Sequence, residues 1–211
     1  MTKAKPENFK DLFDHFQKDL IGLLAEAMQI GGGAFSKYEI MITYPSINLY
    51  LHYLGGVEMG LRESNFIVAM SSLRGMIESL AALIYDGTAR MNKKEYEKFY
   101  KEGRFYKQQE DGKLVEMSQR GLIRHMKDNT GFDALKTYDL CCSYLHFSTK
   151  HVGFMVNDFK GKNSMDIMIG KKDRIPATLQ KDIMKACSDA SILMHRVILG
   201  LIEERKRNHE K

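Results

Sequence analysis

The chain has few of the residues that interrupt helices or cross-link small folds. Its 211 residues include only three prolines and three cysteines. Few prolines permit long helices, because proline removes a backbone donor and clashes with the preceding turn. Three cysteines, two of them adjacent, do not form a disulfide framework. The sequence therefore predicts a fold stabilised by its core, and 211 residues are enough for one domain spanning 1–211.

Long uncharged apolar runs and secretory patterns are also missing. Only residues 40–57 form an 18-residue stretch without Asp, Glu, Lys or Arg, and polar side chains and a proline interrupt its apolar character; no charged start is followed by an apolar run. We therefore predict a cytoplasmic protein without a membrane span. The formal net charge of +5 is mild. Part of it lies in the last residues, where cations complement a helix C-terminus.

The sequence contains none of the common phosphate-binding or zinc-binding motifs. GxxxxGK[ST], GxGxxG, HExxH and CxxC are all absent. These spacings are the ones that cradle phosphates or place metal ligands on one face. We therefore predict no cofactor and no metal ion.

Apolar residues recur at helical spacing along most of the chain. Leu12, Phe13, Phe16 and Leu20 show this spacing near the start. One segment departs from it, because VGFMVNDF and SMDIMIG flank the polar GKN and indicate a β-hairpin near 152–169. The fold class predicted is all-α, a bundle of six or seven helices with this small hairpin inserted. The helices are predicted at 7–29, 46–63, 64–87, 88–103, 114–128, 132–147 and over about 30 residues from Pro176.

Arg74 and Glu78 are the only charged residues between Phe66 and Tyr85, in the most apolar predicted helix. Four residues apart, they share one helix face. Three interpretations stay open at this point: an exposed pair on a solvent stripe, a buried structural pair, or a functional site.

The stretch CCSYLHFSTKH at 141–151 holds two cysteines and two histidines. On a helix, Cys142 and His146 share a face, and Cys141 points elsewhere. Zinc needs about four ligands, and a cysteine nucleophile needs an exposed thiol beside a base. We predict that Cys142 is buried and that His146 is a hydrogen-bonded histidine at a helix end, with metal and nucleophile roles as minor alternatives.

The stretch RGLIRH contains Arg120 and His125, which fit a loose Arg-x4–6-His ribonuclease pattern. Ten arginines and seven histidines give about one such match by chance. The two residues also lie about 140° apart around a regular helix. We therefore treat the pattern as uninformative.

The order LRGMIESLAALIY, then YDLCCSYLHFSTKH some sixty residues later, resembles a group of bacterial all-helical proteins allied to the HEPN superfamily. HEPN domains are helical and often tied to RNA cleavage or phage defence. Arg74 and Glu78 match the Arg-x3-Glu of that group. Tyr138 and His146 match its later Tyr…Ser-x3-His stretch, with Cys142 where a serine is usual.

The resemblance implies a HEPN-like bundle, often dimeric, in which Arg74, Glu78 and His146 converge. It supports ribonuclease activity only weakly. HEPN nucleases usually carry a polar residue after the arginine of their Arg-x4–6-His pattern, and here Gly121 follows Arg120.

Three functions therefore stay open, and whether the protein is an enzyme stays open with them. The favoured one is a non-enzymatic helical binding or regulatory module, homodimeric, in a bacterial defence or stress system. The first alternative is a metal-independent HEPN-type ribonuclease with Arg74, Glu78 and His146 as catalytic residues. The second is a binder of a small molecule or nucleotide between helices. The partners predicted are a second copy and RNA or a nucleotide.

Overall fold

The described part of the chain is built almost entirely from helices. A computed structural model describes residues 7–30, 39–89, 91–145, 156–157, 166–167 and 177–209. Within these ranges lie seven α-helices, one π-helical turn and two short antiparallel strand pairs, which confirms the all-α prediction. The helices are α1 (Glu7–Gln29), the π-helical turn (Glu39–Thr43), α2 (Tyr44–Arg62), α3 (Phe66–Ala89), α4 (Lys93–Glu102), α5 (Gln119–Thr130), α6 (Leu135–Leu145) and α7 (Ala177–His209).

One of the two strand pairs lies within the predicted hairpin. There β3 (Val156–Asn157) pairs antiparallel with β4 (Asp166–Ile167). The other strand pair was not predicted, because 114–128 was interpreted as a helix. Instead β1 (Tyr106–Gln108) pairs with β2 (Leu114–Glu116) across a turn in which Gly112 has a φ of 81°. The helix prediction is wrong for 114–118.

Helix α5 begins only where Ser118 caps it. The Ser118 hydroxyl accepts a hydrogen bond from the Gly121 amide at 3.1 Å. Such a cap satisfies one of the amides that a helix start leaves free. Gly131, with a φ of 75°, ends the helix in the left-handed conformation that glycine adopts easily.

Helices α2 and α3 form a tightly packed hairpin joined by only three residues. Asn65 caps α3, its side-chain oxygen accepting from the Val68 amide at 3.2 Å. A Cβ on Gly60 would lie 2.5 Å from the Ala69 backbone nitrogen, so the backbones meet where only glycine fits. A Cβ on Gly56 would likewise clash with the Ser72 hydroxyl oxygen.

Helix α3 is the centre of the core and contacts α2, α5, α6 and α7. It is the one helix of the described residues long and apolar enough to cross a membrane, and 67% of that window is buried inside the bundle. A core helix passes the same test. It extends to Ala89, so the prediction that Gly87 ends it is wrong. The Thr88 hydroxyl, which donates to the Ile84 carbonyl at 2.6 Å, lies in this extra turn.

Helices α1 and α7 bring distant parts of the chain together. Their side chains meet along two parallel helices, and an Arg205 terminal nitrogen donates to the Ile30 carbonyl at 2.9 Å. A buried hydrogen bond of 3.0 Å between the hydroxyls of Tyr50 and Ser191 joins α2 to α7. The buried stripe of α7 is Ile183, Cys187, Ala190, Met194, Ile198 and Ile202.

Candidate functional site

The charged pair on α3 is partly buried. Arg74 Nε donates to Glu78 Oε1 at 2.9 Å, and the two side chains are 29% and 27% exposed. One turn of helix separates the residues, which is the spacing that brings their side chains together. The pair is therefore neither fully solvated nor sealed in the core.

Tyr138 of α6 completes a three-residue cluster, which we call the Arg74 cluster (Arg74, Glu78 and Tyr138). The Tyr138 hydroxyl donates to Glu78 Oε1 at 3.2 Å. The guanidinium carbon of Arg74 lies 5.5 Å from the centre of the Tyr138 ring, within the range of a cation–π interaction. The same Glu78 oxygen thus accepts hydrogen bonds from Arg74 on its own helix and from Tyr138 on another. These hydrogen bonds join α3 to α6.

Burial and charge fix the protonation state of this cluster. Burial raises the pKa of Tyr138 to about 12, and the Glu78 carboxylate acts in the same direction. The hydrogen bond to Glu78 raises the pKa of the Arg74 guanidinium, which keeps its charge. Tyr138 is therefore a neutral donor near pH 7, and its pKa is too high for efficient acid–base catalysis there.

The cysteines near the cluster lie differently from the sequence prediction. Cys141, expected to point away, is fully buried, whereas Cys142 is only half-buried. Burial raises the pKa of the Cys141 thiol to about 12 and that of Cys187 further still. Neither thiol forms the thiolate that nucleophilic attack needs. Cys142 lies near Tyr138 and adds a smaller effect in the same direction on its pKa, after burial and the Glu78 carboxylate.

His146 lies outside the described residues, as does His151. Arg74, Glu78 and Tyr138 therefore meet, but the approach of His146 to them stays a prediction. The end of the helix predicted at 132–147 lies in the same undescribed segment.

Arg120 and His125 contact different helices. A terminal nitrogen of Arg120 donates to Asp139 of α6 at 2.7 Å. His125 Nε2 lies 2.7 Å from the Thr88 hydroxyl of α3. Burial, followed by the charge of Lys107, lowers the pKa of His125. The two residues of the ribonuclease-like pattern therefore do not share a site through any described contact.

Two further features were not found from the sequence. One is an exposed apolar face on α1 and α7, and the other is a cavity between α6 and α7. The sequence contained a sign of both features: Ile192 and Leu199 are seven residues apart, as are Asp182 and Asp189, so each pair lies on one side of a helix. That spacing identifies a surface only when it is known which side of α7 contacts the core.

Neither metal-binding side chains nor similarity to known proteins identifies the role of these features. The described residues contain no group of three or more histidine, cysteine, aspartate or glutamate side chains that could hold a metal ion. No protein-family model, curated protein or solved structure matches this chain. The relationship to the HEPN superfamily therefore stays a prediction.

Proposed function

We propose that the protein is a non-enzymatic helical module that acts as a homodimer through the outer face of α1 and α7. We call this the α1–α7 face and define it by four large apolar side chains. They are exposed by 39% to 55% in the single chain: Ile21, Met28, Ile192 and Leu199. Its role in a bacterial defence or stress system rests on the family resemblance alone.

Exposed apolar residues form one ridge on α1 and one ridge on α7. Ile21 and Met28 are seven residues apart on α1, and Ile192 and Leu199 are seven apart on α7. That spacing places each pair on one side of its helix. Glu26, which reaches Lys206 of α7, lies about 160° from Met28 around α1, so the two ridges are not contiguous and the α7 ridge is the one nearest the charges described below. Exposed apolar side chains aligned along a helix are typical of association surfaces.

The charges on α7 make this face complementary to a second copy of itself, and this observation carries the proposal. Arg196 precedes Leu199 by three residues, and Glu203 follows Gly200 by three. Both charged residues are exposed, and within the described ranges neither side chain forms an ion pair. In an antiparallel pair centred between 199 and 200, Arg196 of each copy faces Glu203 of the other.

The glycine at the centre of that arrangement supports close approach of two helices. A Cβ on Gly200 would meet nothing within 4 Å, so the fold of one chain does not require glycine there. A glycine inside an exposed helix costs roughly 1 kcal/mol relative to alanine. Leu199 of one copy would lie over Gly200 of the other.

Size-exclusion chromatography with light scattering tests the proposal. We expect a dimer for the unaltered chain and monomers for Arg196→Glu and Glu203→Arg, because each change places like charges opposite each other twice. The double variant should dimerise again. Arg124→Glu, at an exposed position of α5, is the matched control and should leave the dimer intact. A monomeric unaltered chain, or dimers in both single variants, would contradict the proposal.

The metal-independent ribonuclease is the second candidate, and one observation favours it. Arg74 donates to Glu78 through Nε, and no described contact uses its two terminal nitrogens. A partly exposed guanidinium in that state has donors left for a phosphate oxygen. His146 would then serve as the general acid or base.

Cleavage of RNA in the presence of a metal chelator tests this second candidate. We expect activity that is lost in both Arg74→Gln and His146→Ala and kept in Arg124→Gln. Circular dichroism checks that each variant is folded. Equal cleavage by the His146 variant would rule out the assignment, and inactivity of the unaltered chain would favour the non-enzymatic module.

A further inference from the structure

A cavity of about 300 Å³ lies between α6, α7 and α3. Its apolar lining comes from Ile77, Phe132 and Leu140, together with two alanines. Its polar lining comes from Asp133, Lys136, Thr137, Asp182, Lys185 and Asp189. The cavity thus joins an apolar lining to charged side chains of both signs.

Three of the five charged groups in this lining are already paired. Asp133 accepts from Lys127 at 2.7 Å, and Lys185 pairs with Asp189 at 2.6 Å. Lys136 and Asp182 form no ion pair with any residue of the described ranges, and they do not reach each other. An ammonium group on α6 and a carboxylate on α7 therefore line one cavity without an ion-pair partner among the described residues, and Lys136 also lies near Asp133.

The net charge of the lining and the volume of the cavity restrict the kind of ligand that can bind. Three aspartates and two lysines give the lining a formal charge of −1, which disfavours a polyanion such as a nucleotide. Small-molecule sites usually measure roughly 300–1,000 Å³, so this cavity suits a ligand at the small end. The unpaired ammonium and carboxylate favour a ligand with one charge of each sign.

The first turn of α6 adds hydrogen-bond donors beside Lys136. Asp133 accepts from the Leu135 amide, and the Ala134 carbonyl accepts from the Tyr138 amide. The amides of Lys136 and Thr137 have no such acceptor among the described residues. Together with the Lys136 ammonium, they favour an anionic group at this end of the cavity.

We propose that this cavity binds a small zwitterion, an α-amino acid with an apolar side chain. The ligand carboxylate contacts Lys136, and the ligand ammonium contacts Asp182. The ligand side chain lies against Phe132 and Leu140. This site is separate from the α1–α7 face and does not depend on dimerisation.

Calorimetric titration with three related compounds tests the ligand class. L-leucine carries both charges, L-leucinamide lacks the carboxylate, and N-acetyl-L-leucine lacks the ammonium. We expect L-leucine to bind and each analogue to bind at least about tenfold more weakly, because each loses one charged contact.

Two variants assign those losses to their residues. Lys136→Gln should weaken the binding of L-leucine about tenfold and leave the affinity for L-leucinamide unchanged. Asp182→Asn should also weaken the binding of L-leucine about tenfold and leave the affinity for N-acetyl-L-leucine unchanged. Lys181→Gln, an exposed neighbour outside the cavity lining, is the matched control. Lys136 and Asp182 are exposed and form no ion pair with another described residue, so we expect both variants to keep the helical circular dichroism of the unaltered chain.

Several outcomes would overturn the proposal. The site does not exist if neither L-leucine nor L-phenylalanine gives heat at millimolar concentration. It lies elsewhere if L-leucine binds both variants as tightly as the unaltered chain. The zwitterion assignment fails if both analogues bind as tightly as L-leucine.

Discussion

Tyr138 joins two helices through one hydroxyl group, so its contribution to stability can be measured directly. Tyr138→Phe removes the donor to Glu78 and keeps the ring over Arg74. We expect a loss of about 1 kcal/mol in the free energy of unfolding, the usual contribution of one hydrogen bond. Urea unfolding gives the value, and Tyr100→Phe, at a side chain 68% exposed, is the control. No loss would mean that the hydroxyl contributes nothing.

The same residue gives a pH dependence with a definite sign. The pKa of Tyr138 in the folded protein is about 12, above the ordinary tyrosine value of 10.0, because the phenol is buried. Its stabilising effect is therefore fully present below pH 10 and is lost as pH rises through the window from 10 to 12. We expect the stability difference between the unaltered chain and Tyr138→Phe to shrink across that window. A constant difference up to pH 12 would contradict the burial of this phenol.

The residues of the Arg74 cluster were only partly predictable from sequence. Arg74 and Glu78 pair because four residues separate them, which the helical spacing alone predicts. Their partner Tyr138 comes from sixty positions later, where only the family resemblance suggested a link. Cys141 and Cys142 differ by about 100° around the helix. A small error in helix rotation therefore exchanges the buried and the half-buried thiol.

At the scale of elements, replacing glycine with alanine should have opposite effects on stability in α2 and α3. Gly60→Ala places a methyl group against the Ala69 backbone, and overpacking of this kind costs about 1–3 kcal/mol. Gly87→Ala meets nothing within 4 Å and should stabilise α3 by up to about 1 kcal/mol. Thermal unfolding of both variants checks the prediction. A Gly60 variant as stable as the unaltered chain would show that α2 and α3 can separate at little cost.

The helices themselves followed from the sequence because apolar spacing is a strong signal over ten or more residues. The hairpin of β1 and β2 did not, since each strand has only three residues and an alternation that short fits a helix as well. The end of α3 was also missed. An exposed glycine near a helix end indicates a stop, but Gly87 is followed by another two residues of helix.

At the scale of the whole molecule, dimerisation makes stability depend on protein concentration. If folding is coupled to association, the Tm of the unaltered chain rises with concentration. The Tm of Arg196→Glu should stay constant across the same range. Differential scanning fluorimetry over a hundredfold dilution measures both, with Arg124→Glu as a control that should behave like the unaltered chain. A constant Tm in all three would count against a folded state that needs its partner.

The pairing of α1 with α7 has a consequence for synthesis of the chain on the ribosome. Arg205 and Ile30, which meet in the folded protein, are 175 positions apart. The α2–α3 hairpin can form as soon as residue 89 has emerged, since its contacts are local. Helix α1 can contact α2 early, but its contacts with α7 form only after α7 is made. The side of the first helix that faces α7 is therefore uncovered in the nascent chain, and a ribosome stalled before residue 177 should keep that side accessible to solvent.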